Sequence, residues 1–475
     1  MQHNHIYFIL LVIGLLATIL LTRVTDLNRF ITADEPRWQA NVAGFTTKLA
    51  KGDFGNLLQQ PHPGITSQWF ASPAIWQKTW AEKKIPLVIS QCILLLFSAY
   101  LMGRLWEKQA GIIGAFILAL NPFLIAHTRV YAMDSLLAIF ILISLLALLV
   151  WNKTQEKRFL AYAGAAGALA FLSKLPGIII VPFSFVAILF LAKSIGINKS
   201  IKLCSVWVAA FIGTSIIVLP SFLIRPIGIF QDLAGFLSSD DYTSLHQYGL
   251  YYYLGTLVFL TTLIQLAALL VAAMKPSILK HKQDLAILIL FAFCFTLMMT
   301  LGAKKGDRYI LPAFLMFDAC AAYVASRVLK KPYTWAVALL ACAITFQAAN
   351  IIRLHPYELA YVNPLTKPFL KYRQLGWGEG LDIAAMYLNA KPNAKEIQVA
   401  SYYASQFEGF FNGKTVPLHQ WESESNNYAI LYRAMYGRSD DSWETDVLQQ
   451  FTNKKPEKII ELNGIPYIWI YRLKE

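Results

Sequence analysis

Asp34 and Glu35 stand side by side in ITADEPRWQA, flanked by Pro36 and Trp38, a short way past an apolar stretch that ends at Thr22. A carboxylate there can take a proton from an attacking hydroxyl or amine. Basic residues recur in later polar breaks: Arg129 with Asp134 in HTRVYAMDSLL, Lys174 in LSKLPG, and Lys304, Lys305, Asp307 and Arg308 in AKKGDRYILP. Lysine and arginine neutralise a phosphate, arginine with two parallel hydrogen bonds, and they stabilise the negative charge that grows as a phosphate leaves. A general base near such bases suffices to move a group off a lipid-linked phosphate. Phosphate is a good leaving group, so no separate general acid is demanded.

Each feature also has a purely structural reading. Pro36 is favoured at the first helical position, which makes Glu35 the N-cap and Asp34 the residue before it, both favourable to the helix dipole. Glutamate is nevertheless a poorer cap than Ser, Thr, Asp or Asn. Lysines and arginines at span ends snorkel to headgroups, and Arg129 could pair with Asp134 across a short turn. What sets these bases apart is their joint placement on a surface that the positive-inside bias depletes.

That placement follows from the spans. The 475-residue chain is 56% hydrophobic and only 15% charged, with a mean hydropathy of +0.47, too apolar for a soluble fold. Apolar runs at roughly 5–22, 85–103, 109–126, 134–151, 159–173, 177–192, 202–224, 250–273, 284–302, 309–326 and 334–350 predict about eleven transmembrane helices, up to about thirteen if short runs divide. The first run lacks a preceding Lys or Arg and a following small-residue cleavage site, so it reads as a retained helix. With the N-terminus in the cytoplasm, five short inner loops carry fourteen Lys and Arg, against six in the opposite short loops. The first external loop, 25–84, and the region 351–475 are then both extracytoplasmic.

The domains expected are a transmembrane catalytic domain over 1–350, including the loop 25–84, and an extracytoplasmic α/β domain over 351–475. In the loop, Trp38, Val42, Phe45 and Leu49 line one helix face, and Trp69, Trp76 and Trp80 follow, so one or two helices should rest on the bilayer surface. In the C-terminal region KEIQVASYY, NYAILYRAM, EKIIEL and YIWIYRL read as strands, and GEGLDIAAMYLN and SWETDVLQQF as helices. The net charge of +14 fits the positive-inside bias and anionic lipid, and no basic-aromatic module points to nucleic acid. All five cysteines fall inside apolar runs, which excludes disulfides or a thiolate metal site in the exported regions.

In order along the chain, these motifs resemble those of the family 39 glycosyltransferases, the protein O-mannosyltransferases and aminoarabinose transferases with the GT-C membrane fold. ADEPRW resembles the Asp-Glu of that family's first external loop, and PHPGITSQW its His-Pro-Pro-x-Gly-Lys stretch. TRVYAMDSLL is similar to its Ser-Arg-x-x-x-x-Asp-Ser-x-Leu segment, and LSKLPG to its basic external turn. HPYELAYVNPL and GWGEGLD look like segments of prokaryotic members, without assigned chemistry. The His-Pro-Pro-like stretch keeps His62 and Pro63 but has Ser67 and Gln68 where a lysine would be looked for. That departure shifts phosphate binding onto Lys174, Arg129, Lys304, Lys305 and Arg308.

The resemblance implies an inverting transferase that takes a sugar from a polyprenyl-phosphate donor at the extracytoplasmic face, in a prokaryotic plasma (inner) membrane. Asp34 would be the general base and Glu35 would orient the loop or acceptor. Asp134 would hold a basic neighbour, and His62 would contact donor or acceptor, or merely pack at the interface. The acceptor is a protein, a lipid or a glycan, and the other partner is membrane lipid. No cofactor or metal is required, although His62 and Glu35 leave room for incidental divalent binding. The alternative is a transporter or flippase for lipid-linked sugars, which would favour polar groups at the bilayer midplane and broken helices. Asp318 is the clearest mid-span charge.

Overall fold

The computed structural model describes residues 2–58, 63–193, 196–237, 249–302, 304–331, 333–370, 375–436 and 442–474. The chain divides into two compact units, Met1–Thr25 with Arg37–Asn350, and Asp26–Pro36 with Ile351–Glu475. The segment 26–36, expected with the membrane domain, therefore belongs to the C-terminal unit.

Every apolar run read from the sequence is helical. In order these are Gln2–Val24, Trp80–Leu105, Lys108–Ala119 with Pro122–Arg129, Asp134–Thr154, Lys157–Ser173, Ile180–Leu191, Ile197–Val218, Tyr252–Leu260 with Leu263–Met274, Lys282–Leu301, Leu311–Lys330 and Thr334–Leu354. Among the described residues, six helices are long and apolar enough to cross a membrane, or eight if each bent pair is one span. Two of the runs form short helices, Lys157–Ser173 of 17 residues and Ile180–Leu191 of 12, the latter reaching only about 18 Å. The apolar window of Asp134–Thr154 is 100% buried, as expected of a helix apolar on all sides. This helix carries Asp134 at its first position.

Two spans are broken, by 65° at Leu120–Asn121 and by 94° at Thr261–Thr262. A break inside hydrocarbon exposes backbone groups that no water can satisfy. At the first break the Asn121 side chain caps the restarting helix, accepting from the Leu124 N–H at 3.1 Å, with Pro122 following it. At the second, Thr262 and Gln265 form a reciprocal capping box. Asp318 joins the two: its Oδ2 accepts from Asn121 Nδ2 at 2.7 Å and its Oδ1 from Gln265 Nε2 at 2.8 Å. One buried carboxyl thus ties together the cap residues of both broken spans.

The loop 25–84 contains helices Glu35–Ala50, which from Arg37 onward lies in the membrane unit, and Ile65–Ala71. The stripe expected to face the bilayer is instead buried in protein. Phe45 packs with Leu57, Ile65, Leu172 and Leu219, and Val42 is also buried. The reason is that the short segments 54–58 and 65–71 offer apolar partners, so the stripe need not use lipid. Trp76, 70% exposed, keeps the character of an interfacial side chain.

In the C-terminal unit a five-stranded mixed sheet has the order β2-β1-β3-β5-β4, with β1 at Gln398–Ser401, β2 at Lys414–Pro417, β3 at Tyr428–Tyr432, β4 at Lys458–Leu462 and β5 at Ile465–Arg472. β1 runs parallel to β2 and β3, and β5 antiparallel to β3 and β4. The four expected strands and both helices, Leu381–Asn389 and Trp443–Phe451, are present. β2 was not legible, being a four-residue edge that ends in proline. Ala400, Ala429, Leu431, Val447 and Phe451 form part of the core between sheet and helix.

Replacing Asp318 by alanine removes the acceptor from two buried amides, so Asp318→Ala should destabilise the purified protein by about 1–3 kcal/mol for each orphaned amide. Asp318→Asn, which keeps one oxygen acceptor, should lose less. Thermal unfolding in detergent distinguishes the two. Equal stability of Asp318→Ala and the natural protein would show that the breaks hold without the bridge.

Candidate active site

In the membrane unit the site is built around Asp134. Its carboxylate sits at the N-terminus of a buried helix, where the dipole favours negative charge. Asp134 is 3% exposed; Oδ1 receives Lys174 Nζ at 2.6 Å and Oδ2 faces Arg308 Nε at 3.5 Å. Lys174 occupies one extended residue between helix Lys157–Ser173 and the 3-10 turn Leu175–Ile179, with Pro176 second in the turn. Gly177 permits that close junction, because a Cβ there would lie 2.5 Å from the Ala170 carbonyl oxygen. The Lys174 ammonium also lies 4.0 Å from the centre of the Tyr309 ring.

Arg308 comes from the 3-10 turn Asp307–Ile310 that leads into helix Leu311–Lys330. A small cavity of about 50 Å³ is lined by Asp134, Lys174, Lys304 and Tyr309 among others. The Asp307 carboxylate accepts from Thr256 Oγ1 at 2.9 Å. Three bases, Lys174, Lys304 and Arg308, thus stand with two acids, Asp134 and Asp307, which leaves excess positive charge beside a cavity. The stretch 63–71 docks on the same turn: the Gly64 N–H donates to the Ser173 carbonyl at 3.1 Å, and the Thr66 and Ser173 hydroxyls lie 2.6 Å apart.

The other two expected phosphate ligands hold helix ends. Arg129, 3% exposed, donates to the carbonyls of Thr22 at 3.0 Å and Thr25 at 2.9 Å, at the end of helix Gln2–Val24. Lys305 donates to the carbonyls of Thr300 at 2.6 Å and Gly302 at 2.8 Å, at the end of helix Lys282–Leu301. Burial holds the Lys305 ammonium below its ordinary pKa. Asp134, considered as a partner for Arg129, is instead occupied by Lys174 and Arg308. His62 lies outside the described residues, and the side chains of Ser67 and Gln68 turn back onto the carbonyls of Gly64 and Pro63. Sequence reasoning passed over His127, which is buried and lies in the electrostatic field of Asp134, Arg308 and Lys174. Its signal is its place in HTRVYAMDSLL, seven residues before Asp134 and two before Arg129.

Asp34 and Glu35 belong to the C-terminal unit. Glu35 is the first residue of its helix rather than the N-cap, and it is fully buried. Its Oε2 accepts from the Thr32 N–H at 2.7 Å, a carboxylate-to-backbone bond across the turn that leads into the helix. Asp34 is partly exposed in the turn just before the helix. Ala33 is held on both sides, its N–H donating to the Trp377 carbonyl at 2.8 Å and its carbonyl accepting from Gln406 Nε2 at 3.3 Å. Upstream, Arg29 pairs with Asp382 at 3.3 Å, and Tyr357 donates its hydroxyl to the same carboxylate at 2.6 Å. Burial pushes the Asp382 carboxyl above the usual range, partly offset by Tyr357 and Arg29. HPYELAYVNPL and GWGEGLD therefore seat the Asp34 loop.

Residues 70–222 match the family model described as dolichyl-phosphate-mannose-protein mannosyltransferase, a stretch that includes Arg129, Asp134 and Lys174. No curated protein matches the chain in sequence. In three dimensions the chain is similar to ArnT from Cupriavidus metallidurans bound to undecaprenyl phosphate, with a TM-score of 0.56, 13% identity and 98% of each chain covered. It is likewise similar to the apo state of that protein, at TM-score 0.57, 12% identity and 98% of each chain. The oligosaccharyltransferase of Archaeoglobus fulgidus in complex with Zn and sulfate follows at TM-score 0.51 and 13% identity, over 89% of this chain and 67% of that one. At such identities the likeness is one of fold. That likeness of fold and the family model over residues 70–222 agree with the resemblance carried by the motifs.

Removing the shared carboxylate strands two cations in a buried place. Asp134→Ala should therefore cost about 3–5 kcal/mol, the scale of breaking a buried ion pair from one side. Denaturation of the purified protein measures it; a loss below about 1 kcal/mol, the scale of an exposed pair, would show that water already reaches the cluster.

Proposed function

We propose that the chain is an inverting glycosyltransferase that moves a sugar from a polyprenyl-phosphate donor to an acceptor on the extracytoplasmic side of a prokaryotic plasma membrane. The observation that carries this reading is the Asp134-centred cluster, in which Lys174 and Arg308 share one buried carboxylate and Lys304 lines the same cavity. Asp134 and Lys174 lie in the stretch that matches the family described as dolichyl-phosphate-mannose-protein mannosyltransferase, while Lys304 and Arg308 lie beyond it. The similarity in fold to a protein solved with undecaprenyl phosphate supports the same donor class. An apolar groove of about 550 Å³ between the helices of the second half, lined by Leu266, Leu269, Leu285, Ile289 and Phe317 among others, suits an isoprenoid tail.

In this reading Lys174, Arg308 and Lys304 neutralise the donor phosphate, with His62 as a contact to donor or acceptor. Asp34 accepts the proton of the acceptor hydroxyl or amine as its lone pair forms the new bond to the anomeric carbon. The bond from that carbon to the phosphate oxygen breaks on the opposite face, its electron pair leaves with the polyprenyl phosphate, and the configuration inverts. Because protein cations neutralise the leaving phosphate, the chemistry needs no metal. The broken spans, which would suit a flippase, have their polar caps bonded to one another through Asp318 rather than set out as a carrier site.

Asp34→Asn should insert and fold normally while turnover falls by at least about 10²-fold, the usual scale of losing a general base. Release of polyprenyl phosphate from the sugar-charged lipid fraction of host membranes reports it, and near-normal release would remove Asp34 from the role. Chelation with EDTA should leave turnover unchanged; a loss restored by a divalent ion would replace the metal-free scheme.

A further inference from the structure

We propose that the C-terminal unit is a positioning device for Asp34, with the turn 376–380 and Gln406 setting where its carboxylate stands. The proposal rests on the assignment of Asp34 as the base. Residues 31–33 lie along Trp377 and Gly378: the Ala33 N–H meets the Trp377 carbonyl, and a Cβ on Gly378 would stand 2.5 Å from the Ile31 carbonyl oxygen. Gly378 has φ +124°, so its backbone suits only glycine as well. Gln406 holds the other side of Ala33.

The turn is itself fastened to the sheet. Tyr432, the last residue of β3, is fully buried, accepts from the Gly378 N–H at 3.0 Å and donates to the Glu379 carbonyl at 2.9 Å. The Glu379 carboxylate, also buried, accepts from the Trp377 N–H at 2.7 Å. An unbroken series of hydrogen bonds therefore runs from β3 through Tyr432 and the turn to Ala33, one residue from the proposed base. A carboxylate on a free loop would sample many positions, whereas one held next to a sheet stays within the tolerance that proton transfer needs.

The test compares Gly378→Ala, Tyr432→Phe and the milder Gln406→Ala in the full-length protein in nanodiscs, with Trp443→Ala on an exposed helix face as control. Hydrogen exchange read by mass spectrometry should speed up roughly tenfold in peptides covering 29–35, the scale of one lost hydrogen bond, while β4 and β5 keep their protection. In native membranes, with the host polyprenyl-phosphate-sugar fraction as donor, kcat should fall by about tenfold or more while the donor KM holds, the pattern of a displaced group rather than lost binding. Trp443→Ala should change neither. Unchanged exchange over 29–35 in all three variants would overturn the proposal. So would faster exchange with normal kcat, and if Asp34→Asn is inactive in the same assay the assignment of the base then still stands. If Asp34→Asn turns over normally, the underlying reading fails instead.

Discussion

A helix that ends in or beside hydrocarbon leaves carbonyls that water does not reach, and the membrane unit depends on meeting that demand from within the chain. It does so repeatedly with long basic side chains. Arg23 reaches the Leu118 carbonyl at 2.9 Å, Arg129 the end of the first helix, Lys153 the Leu105 carbonyl at 2.7 Å, and Lys305 the end of Lys282–Leu301. Where helices restart, short polar side chains do the complementary work on N–H groups, as at Asn121 and Thr262.

That demand also sorts the cations by function. Arg129 and Lys305 look like Lys174 and Arg308 in a sequence, since all are bases in short breaks on the same predicted surface. In the folded chain the first two are directed at backbone carbonyls, while the second two meet a carboxylate beside a cavity. A base engaged by a carbonyl dipole is a structural element. Two bases that meet one carboxylate form a net positive group, and it is this arrangement on which the proposed donor-phosphate site rests.

Much of this was legible in the sequence, because long apolar runs and strict alternation survive without knowledge of partners. The runs all became helices, and the strands around Val399, Ile430, Ile460 and Ile468 were read from their alternation. The breaks at Asn121 and Thr262 were hidden because one or two polar residues inside an apolar run do not disturb its average. β2 was hidden by its brevity. The partition of 26–36 with 351–475 depends on contacts more than three hundred residues apart in sequence, such as Ala33 with Trp377, and no local pattern signals them. Glu35 was half-read: its role at the helix start was seen, but Thr32, the residue it bonds, was not.

The central claim is that Lys174 and Arg308 around Asp134 hold a lipid phosphate while outwardly similar bases do not. The most direct measurement is the affinity of the nanodisc-embedded, full-length protein for undecaprenyl phosphate. Lys174→Ala and Arg308→Ala are each expected to weaken it by roughly tenfold or more, the scale of a lost charge-assisted hydrogen bond, and Lys305→Ala to leave it unchanged. Unaltered affinity in Lys174→Ala and Arg308→Ala, or an equal loss in Lys305→Ala, would contradict the account.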